Sequence, residues 1–199
     1  METVGAEFKL PAGLFKQKKV LRLLPDCLEY ENKYSKLHFF TKVPKEAIID
    51  IRYGTDWIIW YRFYVGCAYW IELKTQDDKI HKIRFYGYFG ETERYRKIYV
   101  SIIELLWDYF LDDIVERHLH HFSTTKEIEL GRFLLTEAGL ASPENNLFIN
   151  WTDVEVKEYE TYYMLFNRQQ PHINRATRQG DWETEVLVSV IEAIQQKLA

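Results

Sequence analysis

The sequence predicts an α+β protein built from two units, each an antiparallel sheet region closed by a C-terminal helix, the second unit being shorter. Three observations carry this expectation. Ile98 to Leu106 (IYVSIIELL) and Val186 to Ile194 (VLVSVIEAI) share four identities in nine positions, and every other pair is apolar in both. Two shorter blocks repeat in the same order upstream: Leu23-Leu24-Pro25-Asp26 answers Leu134-Leu135-Thr136-Glu137, and Ile49-Asp50-Ile51-Arg52 answers Val154-Glu155-Val156-Lys157. The offset falls from 111 to 105 to 88 residues, as a second copy with shorter loops requires. Alternating strand-like runs precede both helical periodicities. The expected domains are 1–122, with an N-terminal extension and a long C-terminal helix, and 123–199, joined through Ser123-Thr124-Thr125-Lys126.

In the first domain, alternation or β-branched and aromatic content predicts strands at Lys19 to Leu24, Cys27 to Glu31, Leu37 to Thr41, Ala47 to Tyr53, Trp57 to Tyr64, Ala68 to Thr75 and Lys79 to Tyr86. Turn residues separate them: Pro25-Asp26, Gly54-Thr55-Asp56, Gly66 and Gln76-Asp77-Asp78. After Gly87 and Gly90 the period changes to three and four. Thr92 can cap a helix whose apolar face holds Ile98, Ile102, Leu105, Leu106, Tyr109 and Phe110, running to about His121. The second domain repeats this with strands near Ile128 to Leu135, Leu147 to Ile149, Val154 to Tyr159 and Tyr162 to Asn167. A closing helix follows Gly180-Asp181, with Val186, Leu187, Val190, Ile191, Ile194 and Leu198 inward.

This element order, together with the polar-rich entries Val43-Pro44-Lys45-Glu46-Ala47-Ile48 and Ile149-Asn150-Trp151-Thr152-Asp153-Val154, resembles tandem bacterial PH-like (pleckstrin-homology-like) domains. The resemblance implies two orthogonal sheets in a barrel with a helix plugging one end, and a second copy that lacks a strand or leans on its neighbour. Such folds host lipid binding, peptide binding and scaffolding alike. The family's inositol-phosphate sites use several cations around the first inter-strand loop. Here Lys16, Lys18, Lys19 and Arg22 precede a Pro25-Asp26 turn followed by Glu29 and Glu31, a poor match to that chemistry.

Charge excludes other partners. Residues 1–122 carry 19 basic and 18 acidic groups and residues 123–199 carry 7 and 12, so neither half offers the basic stripe of a nucleic-acid binder. The first residues lack the pattern of a secretory signal, and Trp57 to Leu73 is only 17 residues long with Arg62 and Glu72 inside it, so a cytoplasmic location is expected. Cys27 and Cys67 then read as core thiols. No nucleophile elbow, zinc-binding His-Glu-x-x-His, phosphate loop or dinucleotide-binding glycine pattern occurs, so neither an enzyme nor a cofactor is expected.

The densest unusual composition lies between Tyr53 and Phe89, with 12 of the 32 aromatic residues. Within Trp57 to Tyr64 both alternating sets are apolar or aromatic. Two arrangements fit: a strand covered on both faces, or an exposed patch for a protein, a peptide or a second copy, with Trp57, Trp60, Tyr61, Arg62, Tyr64 and Trp70 as contact candidates. Arg168, His172, Arg175 and Arg178 form a second candidate, an anion-binding or docking loop in an acidic half; a solvated connection or charged edge strand is the plain reading. Glu104, Asp108, Asp112, Glu116 and His120 follow at four-residue spacing and read as a solvated helix face, with a metal site as the sharper option. The leading functional expectation is a non-enzymatic protein- or peptide-binding module, of scaffold, regulatory or inhibitor type. The alternative is attachment to an anionic membrane surface through Lys16, Lys18, Lys19, Arg22, Phe39 and Phe40.

Overall fold

The computed structural model describes residues 5–13, 18–31 and 40–198. The chain divides into two compact units, Met1–Asp112 and Asp113–Ala199, and the architecture is α+β with antiparallel sheets throughout; among the described residues each unit has a four-stranded and a three-stranded sheet, and the expected barrels are not closed. The division falls earlier than residue 122, inside a helical stretch. Ser123, Thr124 and Thr125 are not a linker: their hydroxyls donate back to the carbonyls of His120 and His121, so the polar run is the last turn of a helix.

In the first unit, β1 (Ala6–Pro11), β2 (Lys18–Leu24), β3 (Cys27–Glu31) and β4 (Phe40–Pro44) form a four-stranded meander in that order. A 3-10 turn over Lys45–Ala47 leads to β5 (Ile48–Trp60), β6 (Phe63–Thr75) and β7 (Ile80–Tyr88), a three-stranded sheet in the order β5-β6-β7. Helix α1 (Thr92–Leu106) passes through a π-helical turn at Trp107–Leu111 into α2 (Asp112–Thr125). Tyr95, Tyr99, Ile102 and Leu106 recur at three- and four-residue spacing and are buried, and α1 lies against β7, β6 and β2. An aromatic cluster fixes it there: Tyr69 of β6 stacks on Phe85 of β7 at 5.0 Å and meets Tyr99 at 5.1 Å, while its hydroxyl donates to the Thr92 carbonyl at 2.9 Å. β6 alternates cleanly, with Tyr69, Ile71 and Leu73 inward and Trp70, Glu72 and Lys74 outward.

The second unit has β8 (Glu127–Leu130), β9 (Phe133–Thr136), β10 (Gly139–Ser142) and β11 (Leu147–Asn150) in one sheet, and β12 (Val154–Glu158), β13 (Tyr162–Asn167) and β14 (Asn174–Arg178) in another. Helix α3 (Thr184–Leu198) buries Val186, Leu187, Val190, Ile191 and Ile194. Among the described residues this unit has as many strands as the first, so it is shorter in residues and lacks no strand. Every matched pair of sequence blocks occupies the same rank in its unit: the second strand and following turn, the fifth strand, the entry before that strand, and the closing helix.

Several strand expectations change. Ala47 to Tyr53 and Trp57 to Tyr64 are not separate strands, because β5 runs straight through Gly54-Thr55-Asp56 and the chain reverses at Tyr61-Arg62. Gly54 and Gly66 mark close packing instead of turns: a Cβ on Gly54 would collide with the Trp70 indole, and one on Gly66 with the Gly87 carbonyl. Ile128 to Leu135 is a hairpin, reversed at Gly131 (φ 60°). β1 and β10 have no counterpart among the expected strands, β14 is the charged edge strand that was one reading of the Arg168 to Arg178 segment, and residues 37–39 lie outside the described residues. At the crossing of β6, β7 and the start of α1, a Cβ on Gly87 would lie 3.0 Å from the Thr92 Cα. Gly66→Ala is therefore expected to cost about 1–3 kcal/mol of unfolding free energy, read as a lower urea midpoint.

Candidate functional site

β6 is paired on both sides only as far as Gly66, which faces Tyr88 at the end of β7. Beyond that rung β5 and β6 continue as a two-stranded ribbon, with Ile59 opposite Tyr64 and Trp60 opposite Phe63. The register shifts between Ile58 and Ile59, leaving Val65 as the extra residue of a bulge, and its carbonyl accepts the Phe89 N–H at 3.1 Å. Tyr61 at the turn has φ 57°, the left-handed region that suits glycine or asparagine and strains a bulky side chain.

The side chains of this ribbon stand in solvent on both faces. Ile59 shares one face with Tyr64 and with Trp57, which stands just below the ribbon opposite Cys67, whereas Trp60 and Phe63 share the other. Exposure is 62% at Trp57, 59% at Ile59, 67% at Trp60, 90% at Tyr61, 72% at Phe63 and 70% at Tyr64. Trp57 meets Tyr64 edge-on at 5.5 Å, and Trp60 meets Tyr61 at 6.3 Å. With ~150–250 Å² per aromatic side chain, the five aromatics leave roughly 700 Å² open over the two faces and the turn together. Arg62, exposed at the turn, is the sole charge in residues 57–65. At the ribbon's base Asp56 is paired with Arg84 at 3.0 Å.

Trp57, Trp60, Tyr61, Arg62 and Tyr64 are thus brought together, and Trp70 is not. Its indole lies across Gly54, 6.0 Å from the Arg52 guanidinium, on a sheet face where Glu72 takes Arg52 at 2.6 Å and Lys82 at 3.0 Å. Sequence reasoning left out Ile59, Phe63 and Phe89 as contacts. The first two sit in the same run, but Phe89 reaches the ribbon only through its backbone bond to Val65.

The second candidate does not form one loop. Arg168 and His172 lie in the exposed β13–β14 connection, while Arg175 and Arg178 stand on β14, the sheet edge. Arg168 is held by Glu155 at 3.2 Å and Arg175 by Glu144 at 3.4 Å, so two of the three guanidinium groups already face local carboxylates. The acidic helix series loses its four-residue register at the π turn that contains Asp108. Among the described residues no group of three His, Cys, Asp or Glu is placed to hold a metal ion. Burial pushes both Cys27 and Cys67 thiols up, away from the reactive thiolate. In the proposed basic segment Arg22 is tied to Glu7 at 3.0 Å and lies 4.3 Å over the Phe40 ring; Lys16 and Phe39 lie outside the described residues. Among the described residues no helix is long and apolar enough to cross a membrane. Compared with protein-family models, curated proteins and solved structures, the chain matches none.

Because the ribbon side chains contribute little burial, Trp60→Glu with Phe63→Glu is expected to move unfolding free energy by less than about 0.5 kcal/mol. Tyr69→Phe, which removes the hydroxyl bond to the Thr92 carbonyl, is expected to cost about 1 kcal/mol in the same urea titration. One pH effect is expected in the second unit. Burial pushes the Glu185 carboxyl up and Glu158 adds to this, against the Tyr163 hydroxyl that donates to it at 3.1 Å. The folded chain then holds this proton more tightly than the unfolded chain, so the group's contribution to stability falls as pH rises above the ordinary carboxylate range. Glu185→Gln is expected to flatten that slope and to raise stability at neutral pH, measured by urea unfolding across the weakly acid range.

Proposed function

We propose that this chain is a non-enzymatic binding module of two PH-like units, working in the cytoplasm, and that the β5–β6 ribbon is its contact element. In each unit four meandering strands, then three, then a helix follow one another in the PH-like order, which supports the family reading.

One comparison carries the functional reading. The hairpin of the same rank in the second unit, β12–β13, closes with arms of five and six residues, whereas β5 and β6 have 13 each. Its tip is bound down: Tyr159 stacks on Tyr162 at 4.7 Å, and the Gln179 amide donates to Glu158 and to the Tyr159 carbonyl. Glu155, Lys157, Glu158 and Glu160 make it polar. This element order therefore needs neither the length nor the aromatic content of the first hairpin. An added apolar ribbon that the core does not use is costly to keep in water unless something covers it.

The test is photo-cross-linking in cells. A photoreactive side chain at Tyr61 is expected to form adducts with the target, while one at Tyr159 in the short hairpin forms none. Equal absence at both positions overturns the reading.

A further inference from the structure

Resting on that reading, we infer that the ribbon's target is a lipid bilayer, into whose interfacial layer the tip inserts. The distribution of exposed side chains decides between occupants. Both faces are apolar or aromatic, and the turn adds Tyr61 beside a single charge, Arg62. A flat protein surface covers one face, and a second copy added along the free edge of β5 would satisfy backbone groups yet leave both faces in water. A medium that surrounds the tip covers all of it at once.

Length and chemistry agree with this medium. The ribbon projects past its last three-stranded rung by two residue pairs and a turn, roughly 10 Å at ~3.3 Å per residue, close to the ~5–10 Å depth at which interfacial elements bury their apolar side chains. Two Trp and two Tyr, the residues that favour the membrane–water boundary, sit at Trp57, Trp60, Tyr61 and Tyr64. Arg62 can direct its guanidinium to a lipid phosphate from an otherwise uncharged tip. The acid nearest the ribbon in sequence, Asp56, is paired with Arg84 at the base, outside the inserted length. Phe89, 66% exposed and bonded through its N–H to Val65, broadens the apolar collar. The chain's net charge of −4 gives no general attraction to an anionic surface. Attachment is driven by the aromatic tip, and salt affects it little.

The test is flotation of the full chain with vesicles of phosphatidylcholine alone and of phosphatidylcholine with phosphatidylserine at four to one. The chain is expected to rise with both and to stay bound in high salt. Trp60→Glu with Phe63→Glu, with its fold checked by circular dichroism, should weaken partitioning by about tenfold or more. Phosphatidylcholine brominated in its acyl chains should quench the intrinsic fluorescence, and Trp57→Phe with Trp60→Phe should remove that quenching while the chain still floats. Flotation that needs phosphatidylserine and disappears in salt overturns the inference, as does undiminished binding by the glutamate variant. Failure to float with either vesicle also overturns it. In that case a protein adduct at position 61 leaves the ribbon as the contact element and only the bilayer is wrong, whereas no adduct removes both.

Discussion

The first unit depends on backbone meeting backbone where Gly66, Gly87 and Thr92 come together. Side chains at either glycine would hold β6, β7 and the start of α1 apart. With none present, α1 drops onto the sheet and Tyr69 can reach both the rings of Phe85 and Tyr99 and the Thr92 carbonyl. The same junction ends β7. Phe89 (φ 39°) and Gly90 (φ 79°) turn the chain into the helix, and among the described residues no third strand pairs with the far end of β5 and β6. The docking of the helix and the isolation of the ribbon are two results of one steric arrangement.

Much of the fold was legible in the sequence. Cys27–Glu31 and Tyr162–Asn167 form strands with the expected limits, and the repeated helix segment falls on the closing helix of both units. Glycine was the main source of error: Gly54 and Gly66 read as turns in a one-dimensional string, and only the approach of Trp70 and Gly87 reveals why they are glycine. β10 was missed, and β14 was only one of two readings, for a different reason. Gly139-Leu140-Ala141-Ser142 and Asn174-Arg175-Ala176-Thr177-Arg178 have little β-branched or aromatic content and owe their conformation to the neighbours that pair with them. The polar run Ser123 to Thr125 misled because hydroxyl side chains suit a loop and a fraying helix end equally.

The candidate site was legible in composition and illegible in exposure. Residues 57–64 have an apolar pattern on both faces whether the strand is sandwiched or bare, so alternation could not separate the cases. What separates them is the length of β7, a property of a different segment. The Arg168 to Arg178 group failed for the opposite reason. Cations clustered in sequence were divided in space between a turn and an edge strand, and carboxylates from β12 and from the turn after β10 took up two of them.

Tyr61 gives the ribbon a further meaning. Glycine at this position would close the same two arms in a relaxed turn, whereas a tyrosine held at φ 57° carries about 1–2 kcal/mol of conformational strain. The ribbon also has five aromatics, one charge and no proline over nine residues, the composition that seeds cross-β stacking. A strand edge of this kind is safe only while it is occupied or scarce. The tip therefore sets a ceiling on how concentrated the free chain can become.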